Sequence, residues 1–280
     1  MSLTFLAFGL LMAGCPVNPT PQGISATPTE EERMEPEFKY YDPVFAPLAP
    51  EVAAAISGGP VDCSMATPFE RIGDLLEPGY LSVENGYCLN PDGTGFVAVK
   101  TDFPGATAEM IQWWFWWHAN EDLRYKIWCP GDHYAISVAN VAQASDRSLS
   151  YEQRRVGNTH FPYENTGNGV YELAIHFVPS ESFGLDPSQF AAAGVEAMVC
   201  ANVGYTSFGT TFDHTVMCHE FRRHGDGLEL RSRFWMGKLL PSSIRPLVIT
   251  SDVAKGLASH CAHEYSHLSG FLPAIFQEFR

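Results

Sequence analysis

The chain ends in the stretch SDVAKGLASHCAHEYSHLSGFLPAIFQEFR, which runs from Ser251 to Arg280. Ser251 or Asp252 can cap the start of a helix, and the apolar residues that follow recur every three or four positions. At about 100° per residue these residues form a stripe roughly 40° wide on one face. The stretch predicts one long helix running towards Phe279, kinked at Gly270 and Pro273. Its apolar stripe consists of Val253, Leu257, Phe271 and Ile275.

Two polar residues share this apolar face. His260 and Glu264 are four residues apart and fall in or at the edge of the stripe, so both side chains should point into the interior. A buried carboxylate is costly unless a cation or a proton neutralises it. A divalent metal bound by His260 and Glu264 would supply the cation. A buried arginine, Arg231 or Arg233, is the alternative partner.

The same helix contains a match to HExxH, a zinc-binding motif of metalloproteases. In that interpretation His263 and His267 bind zinc and Glu264 is the general base. These two histidines lie roughly 60–100° to one side of the apolar stripe. The third ligand of the extended motif would fall on Pro273, which cannot bind a metal. The helical wheel therefore favours His260 and Glu264.

Upstream of this helix, helix and strand patterns follow one another in a defined order. Phe96–Val99 is a candidate strand, Thr107 caps a helix from Ala108 to about His118, and Leu123–Trp128 is a second short helix. Antiparallel strands and then the long helix follow, an order that favours an α+β helix-grip (Bet v 1-like) fold. In such a fold a sheet wraps around the last helix and leaves a cavity between them. The later strands are expected at His133–Val141, Val170–Val178, Val195–Tyr205, Thr211–Arg222 and Leu228–Met236.

Length and composition exclude several classes of protein. The chain has 280 residues, of which 45% are hydrophobic and 18% charged, so a wholly disordered chain is excluded. The formal net charge is −15, which argues against nucleic acid as a partner. It also means that contact with an anionic membrane surface needs an anchor. No apolar run reaches the roughly 18–20 residues that a membrane-spanning helix requires.

The N-terminus is typical of an exported lipoprotein, although no Lys or Arg precedes its apolar run. The run Leu11-Met12-Ala13-Gly14-Cys15 resembles a bacterial lipoprotein signal, in which Cys15 would be lipidated. We expect a signal peptide at 1–14, a disordered tether at 15–50, a small segment of loops and short helices at 51–95, and a helix-grip domain at 96–280. The expected location is the bacterial cell envelope, reached through a lipid anchor, with a soluble secreted or periplasmic protein as the alternative.

Cysteine usage is compatible with export. Six cysteines are left once Cys15 is set aside, so up to three disulfides can form in an oxidising compartment. Cys63 and Cys88 lie in loop-rich sequence and are the expected local bridge. The expectation for Cys200, Cys218 and Cys261 is that they are small buried apolar residues.

Several segments, in the same order, resemble the 2,4-diacetylphloroglucinol hydrolase and phloretin hydrolase family. The resemblance covers roughly residue 96 to the C-terminus. It is carried by Trp113-Trp114-Phe115-Trp116-Trp117-His118, by Arg124-Tyr125-Lys126-Ile127-Trp128 with Pro130 and His133, by Arg233-Phe234-Trp235-Met236-Gly237, and by His260-Cys261-Ala262-His263-Glu264 with Leu268 and Phe271-Leu272-Pro273.

The resemblance implies a helix-grip fold, a zinc ion (Zn²⁺) and hydrolysis of a carbon–carbon bond between an acyl group and a phenolic ring. It implies a ligand set of two His and two Glu, which we place on His118, Glu164, His260 and Glu264. Glu164 is the weakest match, with Glu152, His160 and Glu172 as alternatives, because residues 141–155 resemble an insertion. Cys129 stands where the family usually has a His.

Three further histidines, His133, His214 and His219, are candidate acid, base or hydrogen-bonding groups of the catalytic site. Three functions are consistent with these features: a zinc hydrolase acting on a small aromatic ketone, a non-catalytic exported lipoprotein that binds an apolar ligand in the cavity, and an HExxH metalloprotease. The identity of the metal ligands would distinguish them. The sequence leaves the substrate and the oligomeric state open.

Overall fold

The computed structural model describes residues 23–207 and 210–280. The predicted signal peptide and Cys15 lie outside these residues. Within them, eight strands form one antiparallel sheet in the order β1-β2-β8-β7-β6-β5-β4-β3. The strands are β1 Gly86–Leu89, β2 Gly95–Phe103, β3 His133–Val138, β4 Thr159–Asn165, β5 Val170–Val178, β6 Val195–Ser207, β7 Thr210–His224 and β8 Gly227–Met236.

The longest helix is the last, and it packs against one face of the sheet, while short helices within residues 63–76 and 180–193 pack on the opposite face. None of the described helices is long and apolar enough to cross a membrane. Short 3₁₀ helices occupy Glu32–Met34, Pro36–Tyr40, Cys63–Met65, Phe69–Leu76, His118–Asn120, Ser180–Phe183 and Pro187–Gln189. The α-helices are α1 Pro50–Ser57, α2 Ala108–Trp117, α3 Asp122–Trp128, α4 Val141–Ser145, α5 Tyr151–Arg155, α6 Phe190–Ala193, α7 Arg245–Val248 and α8 Ser251–Phe279.

The N-cap of the long helix α8 lies one residue before Ser251, the earlier of the two predicted caps. Thr250 is the N-cap, and its hydroxyl accepts a hydrogen bond from the amide of Val253 at 3.2 Å. The helix packs against β2, β1 and α2, with Ala258 and Leu268 fully buried in the interface. The expected α+β class, with an antiparallel sheet and a long C-terminal helix, is therefore confirmed. The finer helix-grip assignment stays a prediction.

The apolar stripe of α8 has a different role from the one expected. Val253 and Leu257 are only partly buried because they line a cavity between the helix and the sheet. The core is formed by the neighbouring face, which carries Ala254, Ala258, Leu268 and Leu272. The first half of the predicted stripe, Val253 and Leu257, therefore faces the cavity together with His260 and Glu264, whereas Ile275 is fully buried in the core.

The opposite face of the sheet has its own small core and an ion-pair network. Arg231 and Arg233 on β8 are fully buried, and both donate to the carboxylate of Glu84 at 2.6–3.0 Å. Arg231 also donates to Glu220 at 2.8 Å. These arginines are therefore not the partners of Glu264, and the arginine alternative is wrong.

The predicted disulfide is present in this region. Cys63 and Cys88 are bonded and link a 3₁₀ helix to β1. Cys200, Cys218 and Cys261 are free and buried, as expected for small apolar residues. Since β1 precedes residue 96 and pairs with β2, the predicted boundary at 95/96 falls inside the sheet and is not a domain boundary.

The predicted tether differs from the structure over residues 23–50. This segment, which we call the N-terminal strap, packs against the rest of the protein. Glu37 is buried and accepts a hydrogen bond from Arg124 at 2.9 Å, while Glu32 accepts one from Lys126 at 2.7 Å. The ring of Tyr40 lies 6.2 Å from that of Phe271 on α8. Pairing of its acidic residues and partial burial of its aromatic side chains hold the strap against the protein, so the prediction of a disordered tether is wrong for these residues.

Candidate active site

A cavity lies between the sheet and α8. Its walls are mainly apolar and aromatic, with polar groups restricted to a few positions, which is the usual character of a small-molecule site. One end carries Glu164, His260 and Glu264, and the fully buried His133 contacts the two carboxylates from behind this wall. The remaining wall includes Phe115, His118, Tyr125, Trp128, Ile136, His160, Leu173, Phe177, Tyr205, His214, Thr215, Met217, His219, Phe234, Met236, Val253, Leu257 and Tyr265.

Three elements bring the four polar side chains at this end together. His133 is the first residue of β3, and Glu164 is its partner across the β3–β4 ladder. His260 and Glu264 are one turn apart on α8. His133 Nε2 lies 3.7 Å from a carboxylate oxygen of Glu164 and 3.6 Å from one of Glu264, and His260 Nε2 lies 3.8 Å from Glu264. We call these four residues the His/Glu cluster.

Three separations within the cluster fit a shared metal ion. The distances of 3.6–3.8 Å are too long for hydrogen bonds. Donor atoms bound to one tetrahedral zinc at about 2.0–2.3 Å lie roughly 3.3–3.8 Å apart, which matches these separations. In addition, Nε2 of His133 and both ring nitrogens of His260 are buried and have no hydrogen-bond partner among the described residues. Buried polar atoms of this kind require a partner, and the donor set suits Zn²⁺.

Neighbouring groups fix the orientation of these donors. His133 Nδ1 donates to the carbonyl of Tyr125 at 2.9 Å, which leaves Nε2 as the free acceptor. The Tyr125 ring stacks on the His133 ring with their centroids 3.8 Å apart, and the Tyr125 hydroxyl donates to Glu164. A carboxylate oxygen of Asp132 lies 3.6 Å from His260 Nδ1. The cluster is thus held in place before any ion binds.

The carboxyl groups of the cluster are electrostatically unfavourable without a cation. Burial raises the pKa of Glu264 to about 8, although the nearby His260 opposes the shift. Burial likewise raises the pKa of Glu164, against the effects of His260 and the Tyr125 hydroxyl. Burial disfavours charge on His260, but Glu264 and Asp132 outweigh it and raise its pKa. A divalent ion would stabilise the ionised form of these two buried carboxyl groups, which face the same imidazoles.

His118, the first metal ligand expected from the sequence, lies apart from the cluster. Its Nδ1 donates to the carbonyl of Trp114 at 2.7 Å, and its ring contacts those of Trp128 and His160. No described carboxylate lies within ion-pair distance of it. His133, and not His118, therefore lies beside the two carboxylates of the cluster. The reason is that β3 begins beside the cluster, whereas α2 ends farther along the cavity wall.

The alternatives to Glu164 are also separated from the cluster. Glu152 is exposed on α5, and Glu172 is half-buried on β5, opposite Tyr163 in the β4–β5 ladder. His160 is buried beside His118 and lines the cavity. Of the four candidates, Glu164 is the one that the structure places against His133.

The remaining candidate histidines, His214 and His219, line the cavity away from the cluster. His219 Nδ1 lies 2.9 Å from the Ser232 hydroxyl, and its Nε2 lies 3.0 Å from the hydroxyl of Tyr265. His214 Nδ1 contacts the Thr215 hydroxyl at 2.7 Å, while its Nε2 is buried without a partner. Burial lowers the pKa of His214 to about 4 and that of His219 to about 3. Both imidazoles are therefore neutral at physiological pH and available for hydrogen bonds.

The HExxH histidines do not face the cavity. His263 Nδ1 lies 2.8 Å from the carbonyl of Ser259, and the rings of His263 and His267 contact Phe45 of the N-terminal strap. This agrees with the helical wheel, which placed both to one side of Glu264. The geometry does not favour the metalloprotease interpretation.

Sequence reasoning missed Tyr125 and Tyr265 as functional groups, and it assigned His133 to catalysis rather than to the cluster. The feature that could have identified His133 as part of the cluster is its position as the first residue of a strand, directly after a helix and a Pro-Gly turn. Tyr265 follows Glu264 on the helix, where the wheel places it beside the cavity face.

Comparison with known proteins identifies related sequences. The family described as the DAPG hydrolase PhiG domain matches residues 67–277. Phloretin hydrolase of Eubacterium ramulus is 31% identical over 275 residues, covering 93% of this chain and 96% of the relative. A 2,4-diacetylphloroglucinol hydrolase of Pseudomonas protegens is 31% identical over 270 residues, covering 88% and 85%. Among solved structures, protein Ms6760 of Mycobacterium smegmatis matches with a TM-score of 0.39 and 14% identity, covering 68% of this chain and 98% of that one, a likeness too low to bear on the fold.

Proposed function

Since the chain belongs to the DAPG hydrolase PhiG domain family, we propose that it is a zinc-dependent hydrolase of an acylated phenol. It would cleave the carbon–carbon bond between the acyl group and the phenolic ring of a 2,4-diacetylphloroglucinol-like or phloretin-like substrate. The observation that carries the proposal is the His/Glu cluster, whose unpartnered nitrogens and carboxylates meet at one end of an aromatic cavity.

The residues that would hold the ion are His133 through Nε2, Glu164, His260 and Glu264. When bound, zinc supplies a Lewis acid for a carbonyl group and lowers the pKa of water. The role of the protein is to present these donors in a fixed arrangement. Tyr125 contributes twice, because its carbonyl oxygen orients His133 and its hydroxyl orients Glu164.

The aromatic wall would bind the phenolic ring. Phe115, Trp128 and Phe234 contribute ring faces and edges that suit a flat aromatic substrate. His214 Nε2 has no partner within the described protein and could exchange a hydrogen bond with a ring hydroxyl. The apolar surroundings would also limit access of bulk water, which strengthens electrostatic interactions within the site.

The reaction consumes one water and requires one proton at the ring carbon. The acyl group leaves as a carboxylic acid, and the carbon that carried it gains hydrogen. We assign this proton to the hydroxyl of Tyr265, which lies 3.0 Å from His219 Nε2. His219 is in turn 2.9 Å from the Ser232 hydroxyl, so the tyrosine can be reprotonated through a buried relay.

We further propose that the architecture is a helix-grip (Bet v 1-like) fold and that the protein is exported and lipid-anchored through Cys15. The antiparallel sheet, the long helix across it and the cavity between them support the first proposal. The Cys63–Cys88 disulfide supports an oxidising compartment. A Cys15→Ala variant should lose membrane association and still fold. Membrane association that survives the substitution would refute the anchor.

The test of function combines metal analysis with turnover. Purified protein should contain zinc and should convert mono- or diacetylphloroglucinol or phloretin to the deacylated ring and the free acid, both measured by mass spectrometry. A chelator should abolish the turnover, and zinc should restore it. Stoichiometric binding of these ketones without turnover by the zinc-loaded protein would refute the hydrolase and indicate a binding protein instead.

A further inference from the structure

Cys129 lies beside the His/Glu cluster but has no role in the function proposed above. It is the first residue after α3, it is fully buried, and its thiol is free. Its Sγ and one ring nitrogen from each of His133 and His260 all lie within 4.8 Å of one another. Such a trio of buried donors is compact enough to hold one metal ion.

The local backbone explains why the thiol faces the cluster. Residues 129–133 form a tight turn in which the amides of Asp132 and His133 donate to the Cys129 carbonyl at 3.2 and 3.0 Å. Gly131 has a φ of +92°, which permits this turn without strain. The turn places the side chains of Cys129 and His133 on the same side, a short chelating arrangement within five residues.

The imidazoles of the trio point independently to a missing ligand. His133 is 0% exposed and His260 5% exposed, and neither the Nε2 of His133 nor either ring nitrogen of His260 has a hydrogen-bond partner. The Asp132 carboxylate near His260 Nδ1 is 3.6 Å away, too far to satisfy it. The Cys129 thiol therefore lies against a buried imidazole and interacts with it, which a purely apolar side chain would not do.

We propose that Cys129 is a ligand to the metal of this site, so that the ion is held by a thiolate in addition to imidazole and carboxylate groups. The proposal rests on the proposed function, since it concerns the same ion. On binding, the thiol proton passes to the buffer and a sulfur–metal bond forms, with no change in oxidation state. Zinc accepts Cys, His and Glu donors, and a hydrolytic site keeps one position open for water or substrate. Cys129 would therefore take the place of one of the two carboxylates, with the open position as the fifth.

A thiolate changes which metals the site selects. Thiolate favours the softer ions Zn²⁺ and Cd²⁺, whereas a site made only of imidazole and carboxylate also accepts Mn²⁺. The wild-type protein should therefore prefer Zn²⁺ over Mn²⁺ more strongly than a Cys129→Ser variant. This preference is a property of binding and can be measured without turnover.

The decisive experiment is cobalt substitution. Co²⁺ bound by a thiolate gives an intense sulfur-to-metal charge-transfer band in the near ultraviolet, which oxygen and nitrogen ligands do not produce. Wild-type protein loaded with one Co²⁺ should show this band. Cys129→Ser and Cys129→Ala should lose it while circular dichroism shows that they are folded. Cys200→Ala, which removes an equally buried thiol on the other face of the sheet, should keep it.

The outcomes separate this inference from the proposed function. Stoichiometric Co²⁺ without the band in wild-type protein would overturn the role of Cys129 and leave the metal site intact. A band that survives in the Cys129 variants but is lost in Cys261→Ala would also overturn it, because it would assign the thiolate to Cys261. Failure of the protein to bind Co²⁺ or Zn²⁺ would overturn both proposals. If the Cys129 variants do not fold, absence or presence of the band in wild-type and Cys261→Ala protein still decides the question.

Discussion

Loss of the Glu84 carboxylate should measurably destabilise the sheet that carries the active site. It lies between two fully buried arginines of β8 and accepts hydrogen bonds from both, as well as from the amide of Leu81 at 2.7 Å. Burial opposes ionisation of this side chain. Arg231 and Arg233 nevertheless outweigh burial and lower the pKa of Glu84 from near 4.5 to about 2.

The shift in pKa sets the magnitude and the sign of the pH dependence. At about 1.4 kcal/mol per pH unit, the ionised form of Glu84 contributes roughly 3 kcal/mol to the free energy of unfolding. Because the pKa is lowered in the folded state, this contribution is complete above the unfolded value near 4.5. It is lost as the pH falls through that value towards about 2.

Glu84→Gln should therefore have two measurable effects. At pH 7 it leaves two buried guanidiniums without this partner, so the free energy of unfolding should fall by about 3–5 kcal/mol. When the pH falls from 5 to 2, the free energy of unfolding should decrease by roughly 3 kcal/mol less in the variant than in the wild type. Denaturant titrations at several pH values, with the disulfide intact, measure both effects. Glu77→Gln, at an exposed site in the same loop, is the control and should follow the wild type. A Glu84 variant whose pH profile runs parallel to that of the wild type would refute the reasoning.

Five further variants test the site itself. His133→Ala should lose stoichiometric zinc whereas His118→Ala should keep it, because His133 faces both carboxylates and His118 faces neither. Metal analysis after dialysis measures this, and the reverse result would restore the ligand set expected from the sequence. His263→Ala should retain zinc and turnover, and loss of the metal would revive the HExxH interpretation. Tyr125→Phe removes a hydrogen bond to a cluster carboxylate and should weaken zinc affinity about 10–100-fold in chelator competition; unchanged affinity would contradict its orienting role. Tyr265→Phe should lower kcat by about 10²–10⁴-fold with little change in KM, and an unchanged kcat would remove this tyrosine as the proton donor.

The parts of the fold that sequence predicts well are those with a long or regular pattern. The bounds of α2 and β5, and the hairpin between β7 and β8, agree with the predictions to within about two residues. The helical wheel also orients Glu264 and His260 correctly. Periodicity suffices there because each residue's direction follows from its position within one element.

The parts that sequence misses depend on pairing between elements. β4 has an alternating burial pattern, but Pro162 and the polar residues around it hide the strand, so its register with β3 is not visible in the sequence. Without that register, nothing in the chain shows that His133 lies opposite Glu164. The N-terminal strap is missed for a related reason, since its order depends on Arg124, Lys126 and α8, all distant in the sequence.

The position of His260 and Glu264 on the final helix has a consequence for the order of assembly. Domains generally begin to fold from the N-terminus as they are synthesised. The donors on β3 and β4 can therefore come together early, but the other half of the cluster arrives only with α8. The strap, which is synthesised first, contacts the end of that helix through Lys39, whose Nζ lies 2.5 Å from a carboxylate oxygen of Glu278. The complete donor set consequently exists only once α8 has folded, and the metal would be acquired in whichever compartment that happens.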